Sequence, residues 1–455
     1  MRRTSLFIVK VCLALTFTVS SVYMYLWLVE PHHQTLSQLA ANFVSRISTD
    51  NGQVSEVVNY SVIDVQPEHL SGDPNYNVMD VEPEQLSGDA NYNVMDVESE
   101  TDSEIRHVVF IKVHKAASST LQNIMFRFSL ARNLSVLLPK NPLDHINDSG
   151  RAINPDRIIS HPKEGYFDIL CDHIIFDEEV LAQYFPETAV RVAIVRDPMQ
   201  QALSALVYFS QYFKKPELLA GIEKYKDSPL EGFLGHPRDF FKLSQPVVSS
   251  YINNRMSVDL GFDLTNFEAS KKNKTKIRKF LSNLERQFDL ILISEYFDES
   301  MVLLRRTLSW SMKDIIYLEV NTAQKNLQQF QKSIWNHKPM LNSTTMLTFR
   351  KWAAIDYELY HHFLVIFLNK IEAEESFMDE VSAFREARDE VAKFCYEVSD
   401  SGAKSSEKIS LPETAWTKAF TVSGSDCHLM AMQETDMMAL VGERQKQRFK
   451  LMRSE

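Results

Sequence analysis

The stretch VFIKVHKAASSTLQNIMFRF, Val109 to Phe128, joins three unlike parts. A short apolar run ends in lysine, a cluster of small and hydroxyl residues follows, and apolar residues then recur at Leu121, Ile124, Met125 and Phe128. The first part has the composition of a buried strand and the last the spacing of a helix face. A strand, a tight loop and a helix start make an anion cradle, because first-turn amides lack intrahelical partners and sit at the positive end of the helix dipole. Lys115 adds a cation there, and Ala117, Ser118, Ser119 and Thr120 offer amides and hydroxyls. The triphosphate-binding form of such a loop, G-x-x-x-x-G-K-[ST], is absent, since Lys115 precedes the hydroxyls and no glycine is near. That leaves no obvious magnesium-binding hydroxyl and counts against a kinase. Ser-Ser-Thr also reads as an ordinary N-cap, but a cap does not call for the lysine before it.

Further along, the same alternation repeats. HIIF (His173 to Phe176) reads as a strand before an acidic helix start at Asp177. RVAIV (Arg191 to Val195) precedes RDP and a helix from Met199 to Tyr212, and LILIS (Leu290 to Ser294) precedes a helix through Leu308. Short apolar strands alternating with helices predict an α/β fold with a central parallel sheet covered by helices on both faces. In such sheets ligands bind beyond the C-terminal ends of the strands, where Lys115 and Arg196 fall. Arg196, with Ser204 eight residues later, makes a plausible grip on a second phosphate; a structural ion pair of Arg196 with Asp197 is the equal alternative. The aromatic run Tyr208, Phe209, Tyr212 and Phe213 reads as core packing. From Leu347 the chain is helical through Asn369 and again through Glu397, and its last stretch reads as irregular.

The N-terminus has a different character. Val11 to Val29 is 19 residues without a charge, preceded by Arg2, Arg3 and Lys10 and followed by Glu30. That length spans a bilayer, and the charge bias keeps the tail cytosolic and sends the rest across. The run lacks the small-residue end of a cleaved signal peptide. The expected organisation is a cytoplasmic tail 1–10, a signal-anchor helix 11–29, an acidic stem 30–105 and a luminal domain 106–455. Three units of a sixteen-residue repeat, starting at Asn59, Asn75 and Asn91, occupy the stem. With Pro, Gly, Asp and Asn recurring and the third unit truncated, they read as a disordered spacer. The 55 residues from Asp50 to Glu104 reach at most about 190 Å extended and roughly 40 Å as a coil.

Charge and cysteine add further bounds. The net charge of −11 arises in the stem, where Asp50 to Glu104 holds fourteen acidic residues and no Lys or Arg, so that the domain itself is neutral. No broad basic surface for nucleic acid is expected. Sequons begin at Asn59, Asn133, Asn147, Asn273 and Asn342 and suit a luminal domain. Outside the anchor the cysteines are Cys171, Cys395 and Cys427; Cys395 with Cys427 is the expected pair, both lying in the C-terminal region.

KVHKAASST followed about eighty residues later by VRDP, with a serine eight past the arginine, resembles the two donor-binding elements of the Golgi sulfotransferases. Within them the chain is most similar to the galactose-3-O-sulfotransferase family, through KVHKAASSTLQNIMFRF, LCDHIIFDE, LILISEYFDESMVLLRRTLSW and KWAAIDYELYHHF. The resemblance runs from about His107 to Lys370 and more weakly to about Arg448. It implies a P-loop-like sulfotransferase fold and the co-substrate 3′-phosphoadenosine 5′-phosphosulfate, with no metal expected. It implies a galactose-containing glycolipid or glycan as acceptor and a single-pass type II protein of the Golgi membrane with a luminal catalytic domain. The loop with Lys115, Ala117, Ser118, Ser119 and Thr120 would hold the 5′-phosphosulfate, and Arg196 with Ser204 the 3′-phosphate. Lys115 would stabilise the leaving oxygen. His173 is the candidate base, although it lies at the wrong end of HIIF if that run is a strand; His114 is its competitor. Another glycan acceptor, such as a uronic acid, keeps the same fold. A non-catalytic, membrane-anchored glycan-binding protein would not need the nucleotide cradle.

Overall fold

The computed structural model describes residues 104–147, 149–161, 165–241, 250–318, 343–400 and 407–454. All lie in the second of two units, Met1–Ala90 and Asn91–Glu455, into which the chain divides. The expected anchor, most of the expected stem, Asn59 and Asn342 lie outside the described residues. Among the described residues no helix is long and apolar enough to cross a membrane.

In chain order the elements that place the site are β1 (Val108–Ile111), α1 (Ser118–Arg132), β2 (Ile169–Leu170), β3 (Val190–Val195), α2 (Pro198–Gln211) and α3 (Arg255–Asp259). There follow α4 (Lys274–Gln287), β4 (Leu290–Ile293), α5 (Phe297–Leu308), α6 (Ala354–Ala373) and α7 (Phe377–Asp400). A hairpin of β5 (Lys408–Leu411) and β6 (Phe420–Ser423) leads to α8 (Gly424–Ala431) and α9 (Glu434–Ser454).

Strands β1 to β4 form one parallel sheet in the order β2-β1-β3-β4, with Val108 opposite Val190 and Val195 opposite Ile293. Every residue of β1 and β4 is buried, as an all-apolar strand requires when both faces are covered. Leu121, Ile124, Met125 and Phe128 of α1 are buried at the spacing read from the sequence. Gln122 is buried among them, and its Nε2 donates to the Cys171 carbonyl at 2.7 Å.

Two expectations are corrected. The strand before Asp177 is Ile169–Leu170, not HIIF. The HIIF backbone bonds outside the sheet: Ile175 N donates to Gly150 O in a loop at 3.0 Å, and Phe176 N to Asp259 O at the end of α3 at 2.8 Å. An apolar run can be buried under loops as well as in a sheet once its amides are satisfied there. The last stretch is not irregular either. Met437, Met438, Val441, Gln445 and Phe449 of α9 are buried at helical spacing, but the polar Gln445 and the mid-helix Gly442 break up that signal in the sequence. Gln445 fixes the helix by accepting from Val136 N at 2.7 Å and donating to Val136 O at 2.9 Å.

Cys395 of α7 and Cys427 of α8 form a disulfide across 32 residues, and Cys171 is free and buried. Joint replacement by Cys395→Ala and Cys427→Ala should lower unfolding stability by about 3 to 4 kcal/mol, the loop-closure value for a ring of this size. Denaturant melts of the full chain check this. An unchanged midpoint would mean that helix packing alone fixes the C-terminal segment.

Candidate active site

The strand order reverses between β1 and β3: the chain steps from β1 to β2 on one side, then returns to place β3 and β4 on the other. Connections leaving two strands at such a reversal part to opposite faces and open a crevice at the strands' C-terminal ends. Lys115 follows β1 and Arg196 follows β3, so both reach this crevice, and Arg196 Nη1 donates to the Lys115 carbonyl at 3.3 Å.

The loop between β1 and α1 is held in an uncommon shape. Lys115 and Ala117 take positive φ values of 59° and 61°. For residues with a Cβ this conformation costs roughly 1–2 kcal/mol each, and such strain collects where a loop is shaped for a ligand. Ala117 is the N-cap of α1 and makes no side-chain cap bond, so Ser-Ser-Thr is not a cap and the first-turn amides stay uncapped. The three hydroxyls differ. Ser118 is buried and its Oγ donates to Val113 O at 2.6 Å, which commits its proton to the loop. Ser119 is exposed and its Oγ donates to Glu434 Oε2 at 3.3 Å, while Thr120 is half-buried.

Helix α2 lies alongside. Asp197 caps it by accepting from Gln200 N at 3.0 Å, and Pro198 starts it. Gln201 Nε2 donates to the His114 carbonyl at 3.0 Å, and the Tyr208 ring lies 3.7 Å from Lys115 Nζ. Ser204 stands three residues after Gln201 and four before Tyr208, hence on the same helix stripe facing the loop. The aromatic run is therefore only partly core: Phe209 is buried, Tyr208 half-buried, and Tyr212 and Phe213 exposed. Desolvation, with Arg196 and Lys112 close by, brings the Lys115 pKa down to about 8.

Three imidazoles meet beside the cradle. Because β2 ends at Leu170, His173 lies past the C-terminal end of its strand, on the ligand side, which removes the objection raised by the HIIF reading. Its Nδ1 lies 2.8 Å from the Lys112 carbonyl, so Nδ1 carries the proton and Nε2 is left as acceptor. His114 stacks on His173 with ring centroids 3.8 Å apart. Its Nδ1 lies 2.9 Å from Asp259 Oδ2 and 3.2 Å from Arg255 Nε. One nitrogen cannot donate to the first and accept from the second, and the carboxylate, which also accepts from His114 N at 2.9 Å, is the stronger partner. Burial drives both histidines well below the usual pKa, assisted by their positive neighbours. His145 meets His173 edge-on at 4.8 Å, with Nδ1 2.9 Å from Asp172 Oδ1. Burial lowers its pKa, but the bond to Asp172 outweighs that and raises it.

Sequence reasoning missed Glu434, Lys112, Asp259 and Arg255. Lys112 is buried and ion-paired with Glu434, and Arg255 Nη2 meets Asp259 Oδ1 at 2.9 Å. Only the spacing KVHK hinted at Lys112; the others come from segments far along the chain. Ligand atoms of His145, Asp172 and Glu434 lie within 4.8 Å of one another, a spacing that could hold a metal ion, but Lys112 already supplies Glu434 with a cation. Of the expected glycan acceptors, Asn133 and Asn273 are exposed, whereas Asn147 is half-buried with Nδ2 donating to Ala152 O at 2.9 Å.

A family model described as galactose-3-O-sulfotransferase matches residues 3–414 of the chain. Galactose-3-O-sulfotransferase 2 of Mus musculus is 30% identical over 301 residues, which cover 64% of this chain and 70% of that protein. Galactosylceramide sulfotransferase of Homo sapiens is 29% identical over 294 residues, 64% of either chain. Galactose-3-O-sulfotransferase 3 of Bos taurus is 29% identical over 291 residues, again 64% of either. With a match running from residue 3 to residue 414, this chain belongs to the galactose-3-O-sulfotransferase family.

Proposed function

We propose that this enzyme transfers a sulfuryl group from 3′-phosphoadenosine 5′-phosphosulfate to the 3-hydroxyl of a galactose on a glycolipid or glycoprotein glycan. The observation that carries the reading is the meeting of Lys115 and Arg196 over an uncapped helix start at the point where the sheet order reverses. This is the arrangement expected of a P-loop-like sulfotransferase fold. Family membership supports the chemistry and the galactose acceptor. The N-terminal charge pattern and apolar run support a single-pass type II protein with a luminal catalytic domain behind an acidic stem, and family membership supports the Golgi as its compartment.

In this reading the galactose oxygen attacks sulfur in line while the sulfur–oxygen bond to the 5′-phosphate breaks, leaving adenosine 3′,5′-bisphosphate. The protein contributes position and charge. Lys115 stabilises the departing bridging oxygen. The amides from Ala117 to Thr120, with the Ser119 and Thr120 hydroxyls, hold the 5′-phosphate; Ser118 serves through its amide, its hydroxyl being bound to Val113. Arg196 and Ser204 hold the 3′-phosphate. His173 takes the galactose proton on Nε2, Nδ1 being bound to the Lys112 carbonyl. His114 is the second reading for the base, favoured by the Asp259 carboxylate on its Nδ1.

Incubating the full-length protein with sulfur-labelled donor and a panel of β-galactosyl lipids and oligosaccharides should label galactose at the 3-position. No transfer, together with no binding of adenosine 3′,5′-bisphosphate, would overturn the reading. Lys115→Ala should lower turnover by about 10²- to 10³-fold, the usual scale for removing one charge-stabilising group. His173→Ala should lower kcat by about 10²- to 10⁴-fold with bisphosphate affinity kept. If it does not, while His114→Ala and Asp259→Asn do, the base is His114. A pH series gives a separate check. Lys115 loses its proton as pH rises through about 8, so bisphosphate affinity should fall above that pH, and Lys115→Arg should abolish the fall. A flat profile in the unsubstituted enzyme would remove Lys115 from the anion site.

A further inference from the structure

The family match ends at residue 414, yet a side chain from beyond it enters the crevice. Glu434 opens α9 and divides its two oxygens between two parts of the site. Oε2 accepts from Ser119 Oγ at 3.3 Å, on the uncapped first turn of α1, and Oε1 pairs with the buried Lys112 ammonium. The groups facing this carboxylate are Lys112, Lys115 and Ser119 from the cradle, with His145 and the Asp172 carboxylate on the other side. Its position is fixed, because Gln445 binds both the amide and the carbonyl of Val136 and Phe449 is buried further along the same helix. The lysine and the hydroxyl it holds are the kinds of donor a phosphosulfate needs, at the helix start assigned to that group above.

We propose that Glu434 is a resident counter-ion that competes with the donor nucleotide for Lys112 and Ser119, a positioning residue that weakens nucleotide binding and thereby speeds release of the bisphosphate product. The inference rests on the sulfotransferase reading. When the nucleotide binds, the carboxylate must give up Ser119 and share or leave Lys112. Two unit negative charges about 5 Å apart at an effective dielectric near 20 repel by an amount equivalent to roughly 300-fold in affinity. Lys112 and the loop lysine take up part of that repulsion, so the effect left to measure is smaller.

Glu434→Gln tests this. The amide keeps the shape, its oxygen can still accept from Lys112 and its nitrogen can meet Ser119, so folding is expected to survive and is checked by a thermal melt. Titration of the full-length, detergent-solubilised protein with adenosine 3′,5′-bisphosphate should give a Kd at least about tenfold lower than that of the unsubstituted enzyme. A merely structural residue would not tighten binding when replaced. If Glu434→Gln does not fold, Glu434→Ser, which leaves room for water at Lys112, carries the same expectation. A Kd unchanged or raised in the folded variant overturns the proposal; unchanged Kd with a raised acceptor KM would make Glu434 a ligand of the sugar instead. If the unsubstituted enzyme does not bind the bisphosphate at all, the sulfotransferase reading beneath the proposal fails first.

Discussion

The site is organised around positive charge held out of water. Lys112 and Arg255 are buried, and Lys115 and Arg196 are half-buried at the mouth of the same crevice. Removing such groups from water is costly, and neighbouring like charges add to the cost. The lowered Lys115 pKa is a direct trace of it. The fold offsets the charge piecemeal, with carboxylates from separate elements. Glu434 pairs with Lys112 and Asp259 with Arg255, and Glu295, which accepts from Asp197 N at 2.9 Å, acts on Arg196. Lys115 has the face of Tyr208. An aromatic face stabilises an ammonium by about 0.5 to 2 kcal/mol without neutralising it. The cation nearest the cradle is thus the one best left for an anion.

Geometry at the cradle is set by neutral groups more than by charged ones. Gln201 holds the His114 carbonyl, Arg196 the Lys115 carbonyl, Ser118 the Val113 carbonyl and His173 the Lys112 carbonyl. Four consecutive carbonyls from Lys112 to Lys115 are thereby tied to four different side chains. Such restraint supports the positive φ at Lys115 and Ala117, which an unrestrained alanine or lysine would leave. It also explains why Arg196 is visible in the sequence as a strand-end residue but its partner is not. The partner is a backbone oxygen, and backbone oxygens carry no sequence signal.

Residues that open the loop or helix after β1 and β3 were legible because adjacent sequence carries the pattern that marks them, whereas Lys112 just past the end of β1 was not. Lys115, the start of α1 at Ser118 and Pro198 at the start of α2 all follow from local pattern. His173 was legible as a residue but not in its placement, since β2 is only two residues long and the longer apolar run after it belongs to no sheet. Asp259 and Glu434 were not legible. Each reaches the site from an element whose own periodicity says nothing of the crevice: a five-residue helix in one case, and in the other the first residue of a helix interrupted by glycine. Ser118 shows the reverse case, a hydroxyl expected to meet the donor that turns inward to its own backbone.

Burial shifts the two kinds of group in the proposed mechanism the same way, with opposite consequences for their roles. It lowers the proton affinity of His114 and His173, leaving both neutral and able to accept a proton well into the acidic range. The same desolvation lowers Lys115, which in the proposed role would have to keep its proton to meet an anion. Stacked at 3.8 Å, the two imidazoles cannot readily carry charge at the same time, so protonating one disfavours protonating the other. In the proposed mechanism the working range would be bounded above by Lys115, brought down to about 8, and below by the lowered histidines. A more open crevice would raise the lysine and the histidines together, moving the range towards higher pH rather than widening it.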